Sequence, residues 1–240
     1  MDESLIKKEP LGGGFFINVS PHHTFGTDAV LLADFAAPRR HDRVCDLGTG
    51  TGIIPLLLYA RENTISADAV EIQPDMADMA ARSMAMNGLN EKIHVLPGDL
   101  RSIRTLLPHA RYDLVTCNPP YGKAGGTLLN PDASKRLARH EESCAIEDVA
   151  CAAAWLLQNG GRLCCVFPAA RMIELSDAMR KYRMAPKRIR MVHSRVEKAA
   201  HLCLMEGMLD ARPGLIIEPP LVIYDENNAY TPELRRIYGL

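Results

Sequence analysis

Four consecutive residues, Asn118-Pro119-Pro120-Tyr121, follow the apolar run Tyr112 to Cys117. The prolines lack N–H donors and restrict the backbone, so the Asn118 side-chain carbonyl and the Pro119 main-chain carbonyl can stand as a fixed pair of acceptors. Such a pair fits an NH2 group. An aromatic amine is a poor nucleophile because its lone pair is delocalised into the ring. Holding both of its hydrogens aims the nitrogen at an electrophile and stabilises the positive charge that develops there. Tyr121 can then stack on the ring. The plain alternative is that Asn-Pro-Pro merely breaks the chain after a strand.

A second constellation lies upstream. Val44-Cys45-Asp46-Leu47 runs into Gly48-Thr49-Gly50-Thr51-Gly52 and an apolar helix, a turn in which glycine lets the backbone lie against a ligand at the helix N-terminus. A dinucleotide fingerprint would want a small residue where Ile53 stands and would lack the acid at Asp46. A carboxylate there repels a diphosphate and attracts an ammonium group, so the turn suits an amino-acid tail. Glu71 ends the next strand about 20 residues past the glycines, the placement that lets a carboxylate accept both ribose hydroxyls. Asp99, after Gly98, can accept from an adenine amino group. Each acid alone could simply cap a helix. Three at the ends of three successive strands point to a nucleoside cofactor in the crevice of an open α/β sheet.

The elements that must carry these residues follow from the hydrophobic pattern. From Asp42 onward, Val/Ile-rich runs alternate with helix-like segments, the signature of a parallel, doubly wound sheet. Strands are expected at Arg43 to Leu47, Ser66 to Ile72, Lys92 to Leu96, Tyr112 to Cys117, Arg162 to Phe167, Arg188 to Val192 and Leu202 to Met205. Helices are expected at Ile53 to Arg61, Pro74 to Asn87, Ile146 to Leu157 and Ala170 to Tyr182. Asn87-Gly88 and Asn159-Gly160-Gly161 supply left-handed residues that end helices. Residues 121–139, rich in Gly, Asn, Pro and Lys, read as a long loop.

The bulk composition narrows the function class. A chain of 240 residues, 47% apolar and 24% charged, builds one α/β domain (residues 41–240, with residues 1–40 as an extension over the cofactor site) and contains no apolar run long enough for a membrane span. The N-terminal residues lack the apolar core of a secretory signal, which places the protein in the cytoplasm. Seven cysteines without C-x-x-C spacing suit reduced thiols, and no metal is expected. The net charge of −1 excludes binding of nucleic acid by overall basicity. Locally, however, Arg180 to Lys198 carries eight cations against Glu197. Lys187, Arg188 and Arg190 in that stretch, with Lys123 and Arg139 in the long loop, are the expected contacts to RNA. A charge run can equally be a solvated face.

Together, Asp46 to Gly52, Glu71, Asp99 and Asn118-Pro119-Pro120-Tyr121 resemble the amino-methylating class I methyltransferases. Phe25 to Ala33, Ala138-Arg139-His140-Glu141 and Asn228-Ala229-Tyr230-Thr231 narrow the resemblance to the bacterial tRNA-valine adenine-N6 methyltransferase family. That resemblance implies a Rossmann-like sheet of seven strands, S-adenosylmethionine as donor, and an adenine beside the tRNA anticodon as acceptor. It also implies that Thr27 and Asp28 lie over the methionine end of the cofactor, although both suit capping of a helix Ala29 to Phe35. Two other functions stay open at this level. One is methylation of a protein glutamine amide, whose NH2 group fits the same acceptors, and the other is a non-catalytic RNA-binding module with a relic cofactor pocket.

Overall fold

A computed structural model describes residues 6–21, 24–120 and 145–239. The chain opens with an antiparallel hairpin, β1 (Lys7–Gly12) and β2 (Phe15–Val19), and helix α1 (Thr27–Ala36). The alternating part follows as β3 (Arg43–Leu47), α2 (Ile53–Arg61), β4 (Ser66–Glu71), α3 (Pro74–Met86), β5 (Ile93–Pro97), α4 (Ile103–Leu106) and β6 (Tyr112–Cys117). After the long loop come α5 (Ile146–Leu156), β7 (Leu157–Pro168), α6 (Met172–Lys181), β8 (Met184–His193), β9 (Ala200–Leu209), the two-residue strands β10 (Ile216–Ile217) and β11 (Leu221–Val222), and α7 (Pro232–Tyr238).

Strands β3 to β9 form the expected doubly wound sheet in the order β8-β9-β7-β6-β3-β4-β5, to which β10 and β11 add short parallel pairings on β8. Only β9 runs antiparallel to its neighbours. The chain winds from β3 outward through β4 to β5, then returns to the other side of β3 as β6. Winding therefore reverses between β3 and β6, and a crevice opens at the carboxyl ends of those two strands.

Both faces of the sheet are covered, which is why its strands are continuously apolar. One face buries Val44, Leu114, Cys164 and Leu204 against α1, α2 and α7. The other buries Cys45, Val115, Cys165 and Met205 against α5 and α6. Cys45, Cys117, Cys164, Cys165 and Cys203 are all buried free thiols, and burial pushes Cys164 up to about 12.

The N-terminal hairpin was not legible as strands. Its β2 binds α3 through polar side chains: the Phe16 and Asn18 amides donate to Asn87 Oδ1 and Ser83 Oγ at 2.9 and 3.0 Å. Two helix ends also differ from expectation. Thr27 and Asp28 do not cap α1, whose first residue is Thr27 itself, after Gly26. Helix α5 passes directly into β7, so Gly160, at φ 78°, bends a strand rather than ending a helix.

Candidate active site

Strand β3 delivers Asp46 and the glycine turn. Gly48, Gly50 and Gly52 all have positive φ, at 70°, 58° and 86°, a region that disfavours side chains. A Cβ on Gly52 would come within 2.6 Å of Met84 Cε and 3.2 Å of Ala80 Cβ, so this glycine lets α3 pack against the turn. A Cβ on Gly48 would meet nothing within 4 Å. The turn thus has open space on one side and helix packing on the other.

Asp46 is completely buried. Register pairs it with Thr116 of β6, whose hydroxyl donates to Asp46 Oδ1 at 2.6 Å. Among the described residues, Asp46 Oδ2 and Thr49 Oγ1 are buried without a hydrogen-bond partner. Burial pushes the Asp46 carboxyl up to about 7, with the Thr116 and nearby Thr49 hydroxyls acting in the opposite direction and the Glu71 carboxylate adding to the rise. Buried polar atoms without partners are uncommon, and the pair fits a cationic donor arriving from outside the chain.

Glu71, at the end of β4, is 4% exposed. Its Oε2 accepts from the Gly50 amide at 2.8 Å and its Oε1 from the Gln73 amide at 2.9 Å. One carboxylate therefore clamps the glycine turn to the start of α3, and its remaining lone pairs are available to ribose hydroxyls. Asp99 follows β5 and caps a single 3-10 turn, accepting from the Arg101 amide at 2.9 Å. The Arg101 guanidinium also grips it, with Nη2 donating to Oδ2 at 2.6 Å, and this hydrogen bond holds Asp99 below the usual carboxylate range. The capping role is thus present here, and any adenine amine would share the carboxylate with Arg101.

Leu47 pairs with Cys117 in register. The residues that follow them, Gly48 and Asn118, consequently leave adjacent strands side by side at the switch point. Asn118 is half-buried, Pro119 buried and Pro120 exposed. Tyr121, Lys123 and Arg139, the 121–139 loop and the Ala138 to Glu141 motif lie outside the described residues. Thr27 and Asp28 sit at the N-terminus of α1. The Tyr238 hydroxyl donates to Thr27 Oγ1 at 3.1 Å. Asp28 faces His201, and burial raises its pKa.

The structure does not gather Lys187, Arg188 and Arg190 around this crevice as open cations. Arg188 Nη2 donates to the Phe35 carbonyl at 2.7 Å, its guanidinium stacks over the Phe35 ring, and Nε lies 3.6 and 3.4 Å from Glu206 and Glu218. Arg162, 4% exposed, joins it by donating to the Ala36 carbonyl at 3.0 Å and to Glu206 at 3.1 Å. The two arginines satisfy the last carbonyls of α1, where a helix favours cations. This end of α1 lies nine residues, about 14 Å at 1.5 Å per residue, from Thr27. Arg190 Nη2 donates to both carboxylate oxygens of Glu233 at 2.8 Å, and Lys187 Nζ donates to the Arg212 carbonyl at 3.2 Å. The charges of Arg188 and Arg190 are thus paired inside the fold, whereas Lys187 meets a main-chain carbonyl alone. Thr116 and Tyr238 were the residues missed, and only spatial pairing could have found them.

Residues 22–188 match the methyltransferase small domain family. A tRNA1(Val) (adenine(37)-N6)-methyltransferase of Porphyromonas gingivalis is 31% identical over 223 residues, covering 88% of this chain and 86% of that protein. Its counterpart in Tolumonas auensis is 34% identical over 212 residues, with 87% and 85% covered. In fold, a predicted O-methyltransferase from Agrobacterium tumefaciens superposes with a TM-score of 0.73 at 24% identity, covering 88% of this chain and 95% of that one. A 16S rRNA methyltransferase of Thermus thermophilus, in complex with AdoMet and guanosine, gives 0.60 at 18% identity, covering 85% and 50%. With the crevice at the β3/β6 switch point, this match over most of the chain means that the protein belongs to the methyltransferase small domain family, in its bacterial tRNA1(Val) adenine-N6 methyltransferase branch.

Proposed function

We propose that this chain transfers the methyl group of S-adenosylmethionine to the exocyclic N6 of an adenine in tRNA, beside the anticodon. The observation that carries the reading is the Leu47–Cys117 pairing, which sets the Asn118-Pro119-Pro120 acceptors next to the glycine turn and its unpartnered carboxylate oxygen. The cofactor supplies an electrophilic methyl group on a cationic sulfur. Asp46 meets the ammonium of its methionine tail, with Thr27 and Asp28 at the same end. Gly48, Gly50 and Gly52 let the backbone approach, Glu71 accepts the ribose hydroxyls, and Asp99 accepts from the adenine ring.

On the acceptor side, Asn118 and Pro119 hold the two amine hydrogens, so the nitrogen's lone pair turns toward the methyl group. No base is needed before attack. The C–N bond would form as the methyl–sulfur bond breaks and the thioether product leaves, with the Asn118 and Pro119 oxygens stabilising the positive charge on nitrogen until its proton passes to solvent. Pro120 stiffens the turn and Tyr121 stacks on the base. Residues 41–240 form the catalytic unit, with residues 1–40 as its extension. Among the described residues no helix is long and apolar enough to cross a membrane, and buried reduced thiols suit work in the cytoplasm.

The test is methyl transfer from labelled S-adenosylmethionine to unmodified tRNA, DNA and protein in parallel, read by nucleoside mass spectrometry. N6-methyladenosine in tRNA is the expected product. Label confined to glutamine or to DNA overturns the assignment.

A further inference from the structure

Strand β8 is antiparallel to β9, β9 is antiparallel to β7, and β7 is parallel to β6. The turn between β8 and β9, residues 194–199, therefore emerges at the same end of the sheet as Asn118. It carries Arg195, Val196, Glu197 and Lys198. Val196 is 80% exposed and Lys198 is exposed beside it. Arg195 Nη1 donates to the Asp225 carbonyl at 3.0 Å, which tethers the turn to the C-terminal segment, and among the described residues no further hydrogen bond is made by its guanidinium.

Tyr224 lies against this turn, its amide donating to the Ser194 carbonyl at 3.0 Å. Tyr224 is 37% exposed, and its ring is backed by Tyr230, at 5.5 Å and 28° between planes. Tyr230 stacks in turn on Tyr238, at 5.7 Å and 10°, whose hydroxyl holds Thr27. An aromatic stack thus runs from a partly exposed ring, beside a turn that carries Arg195 and Lys198 as well as Glu197 and followed by Asp225 and Glu226, to the N-terminus of α1 at the crevice.

We propose that the β8–β9 turn and Tyr224 form the RNA-docking surface, an inference that rests on the tRNA reading above. Arg195 and Lys198 meet phosphates, and the open face of Tyr224 stacks an unpaired base, which is how single-stranded loops of RNA are held. The surface supplies the open charge that Arg188 and Arg190 do not, since both are paired with carboxylates within the fold.

Two variants test it, each titrated with an unmodified tRNA transcript across a salt series. In Val196→Asp/Lys198→Glu, both altered side chains are exposed, so S-adenosylmethionine affinity and melting temperature stay at wild-type values. The magnitude of its log-affinity against log-salt slope falls by roughly 0.7 to 0.9 for the lost phosphate contact. Tyr224→Ala binds tRNA roughly 5- to 100-fold more weakly with its slope unchanged, because stacking releases no counterions. Wild-type tRNA affinity and slope in both variants overturn the surface. Loss of cofactor affinity together with tRNA affinity in Tyr224→Ala also overturns it, because the stack is then only a prop for Thr27. N6-methyladenosine formation by the wild type is measured alongside: its absence defeats the function and leaves the binding comparison to judge the surface separately.

Discussion

Asp46→Asn is expected to make the unliganded protein more stable at high pH while weakening the cofactor. The Asp46 carboxyl is completely buried and its pKa rises from 3.8 to about 7, chiefly through burial. An acid whose folded pKa exceeds its unfolded one keeps a proton that the unfolded chain has released. Stability therefore falls as pH climbs from 3.8 to about 7 and stays at its lowest above that. Two of those pH units lie above pH 5, each worth about 1.4 kcal/mol, so between pH 5 and 8 the wild type should lose about 3 kcal/mol relative to the variant. For a domain of this size that is roughly 6–12 °C in melting temperature. Asparagine keeps an acceptor for the Thr116 hydroxyl, and any cost of burying its amide is common to both pH values, so the comparison between pH values isolates the charge. Thermal denaturation of both proteins at pH 5 and 8 measures it, with calorimetry of S-adenosylmethionine at pH 8 as the functional partner. Parallel stability profiles refute the reasoning that Asp46 holds an uncompensated charge awaiting a cation. Unchanged cofactor affinity removes it from the ammonium site.

Glu71→Ala should weaken S-adenosylmethionine by about 1.5–3 kcal/mol in calorimetry, since two hydroxyl acceptors and the Gly50 clamp are lost together. Asn118→Ala should nearly abolish methyl transfer while cofactor affinity stays within a few-fold, and transfer at the wild-type rate refutes the acceptor-pair mechanism. Gly52→Ala should destabilise by about 1–3 kcal/mol in urea denaturation, because a Cβ at φ 86° strikes Met84 and Ala80. Arg188→Glu should cost about 2–4 kcal/mol by the same measurement, somewhat below a fully buried pair because Arg188 keeps partial exposure, as it sets a second carboxylate against buried Glu206. A folded variant of unchanged stability would return Arg188 to the candidates for RNA contact.

The central part of the fold was legible because its elements are short apolar runs bounded by strong punctuation. Arg43–Leu47, Ile53–Arg61 and Tyr112–Cys117 have the expected bounds, each stopped or started by glycine, proline or a charged residue. The β8–β9 pair runs longer than its apolar core because ladder pairing carries it through Pro186, and β7 begins early because Leu157 pairs with Tyr112 before an irregularity that spans Gly160. The hairpin of β1 and β2 escaped notice because β2 is held by Asn87 and Ser83, some 70 residues away.

The site divides in the same way. The types of group at each strand end, an acid before glycines, an acid at the next strand end, an amide before prolines, are local in the chain and specify the chemistry by themselves. Which of those groups is satisfied is a long-range matter. Glu206, Glu218 and Glu233 lie 18 to 43 residues beyond the arginines they neutralise, so a count of charges along Arg180 to Lys198 could not reveal that Arg188 and Arg190 are already paired. Nor could it reveal that Asp46 Oδ2 has no hydrogen-bond partner among the described residues. Burial and pairing depend on distances that only the packed sheet sets, whereas the donor or acceptor character of a side chain travels with the residue wherever the fold puts it.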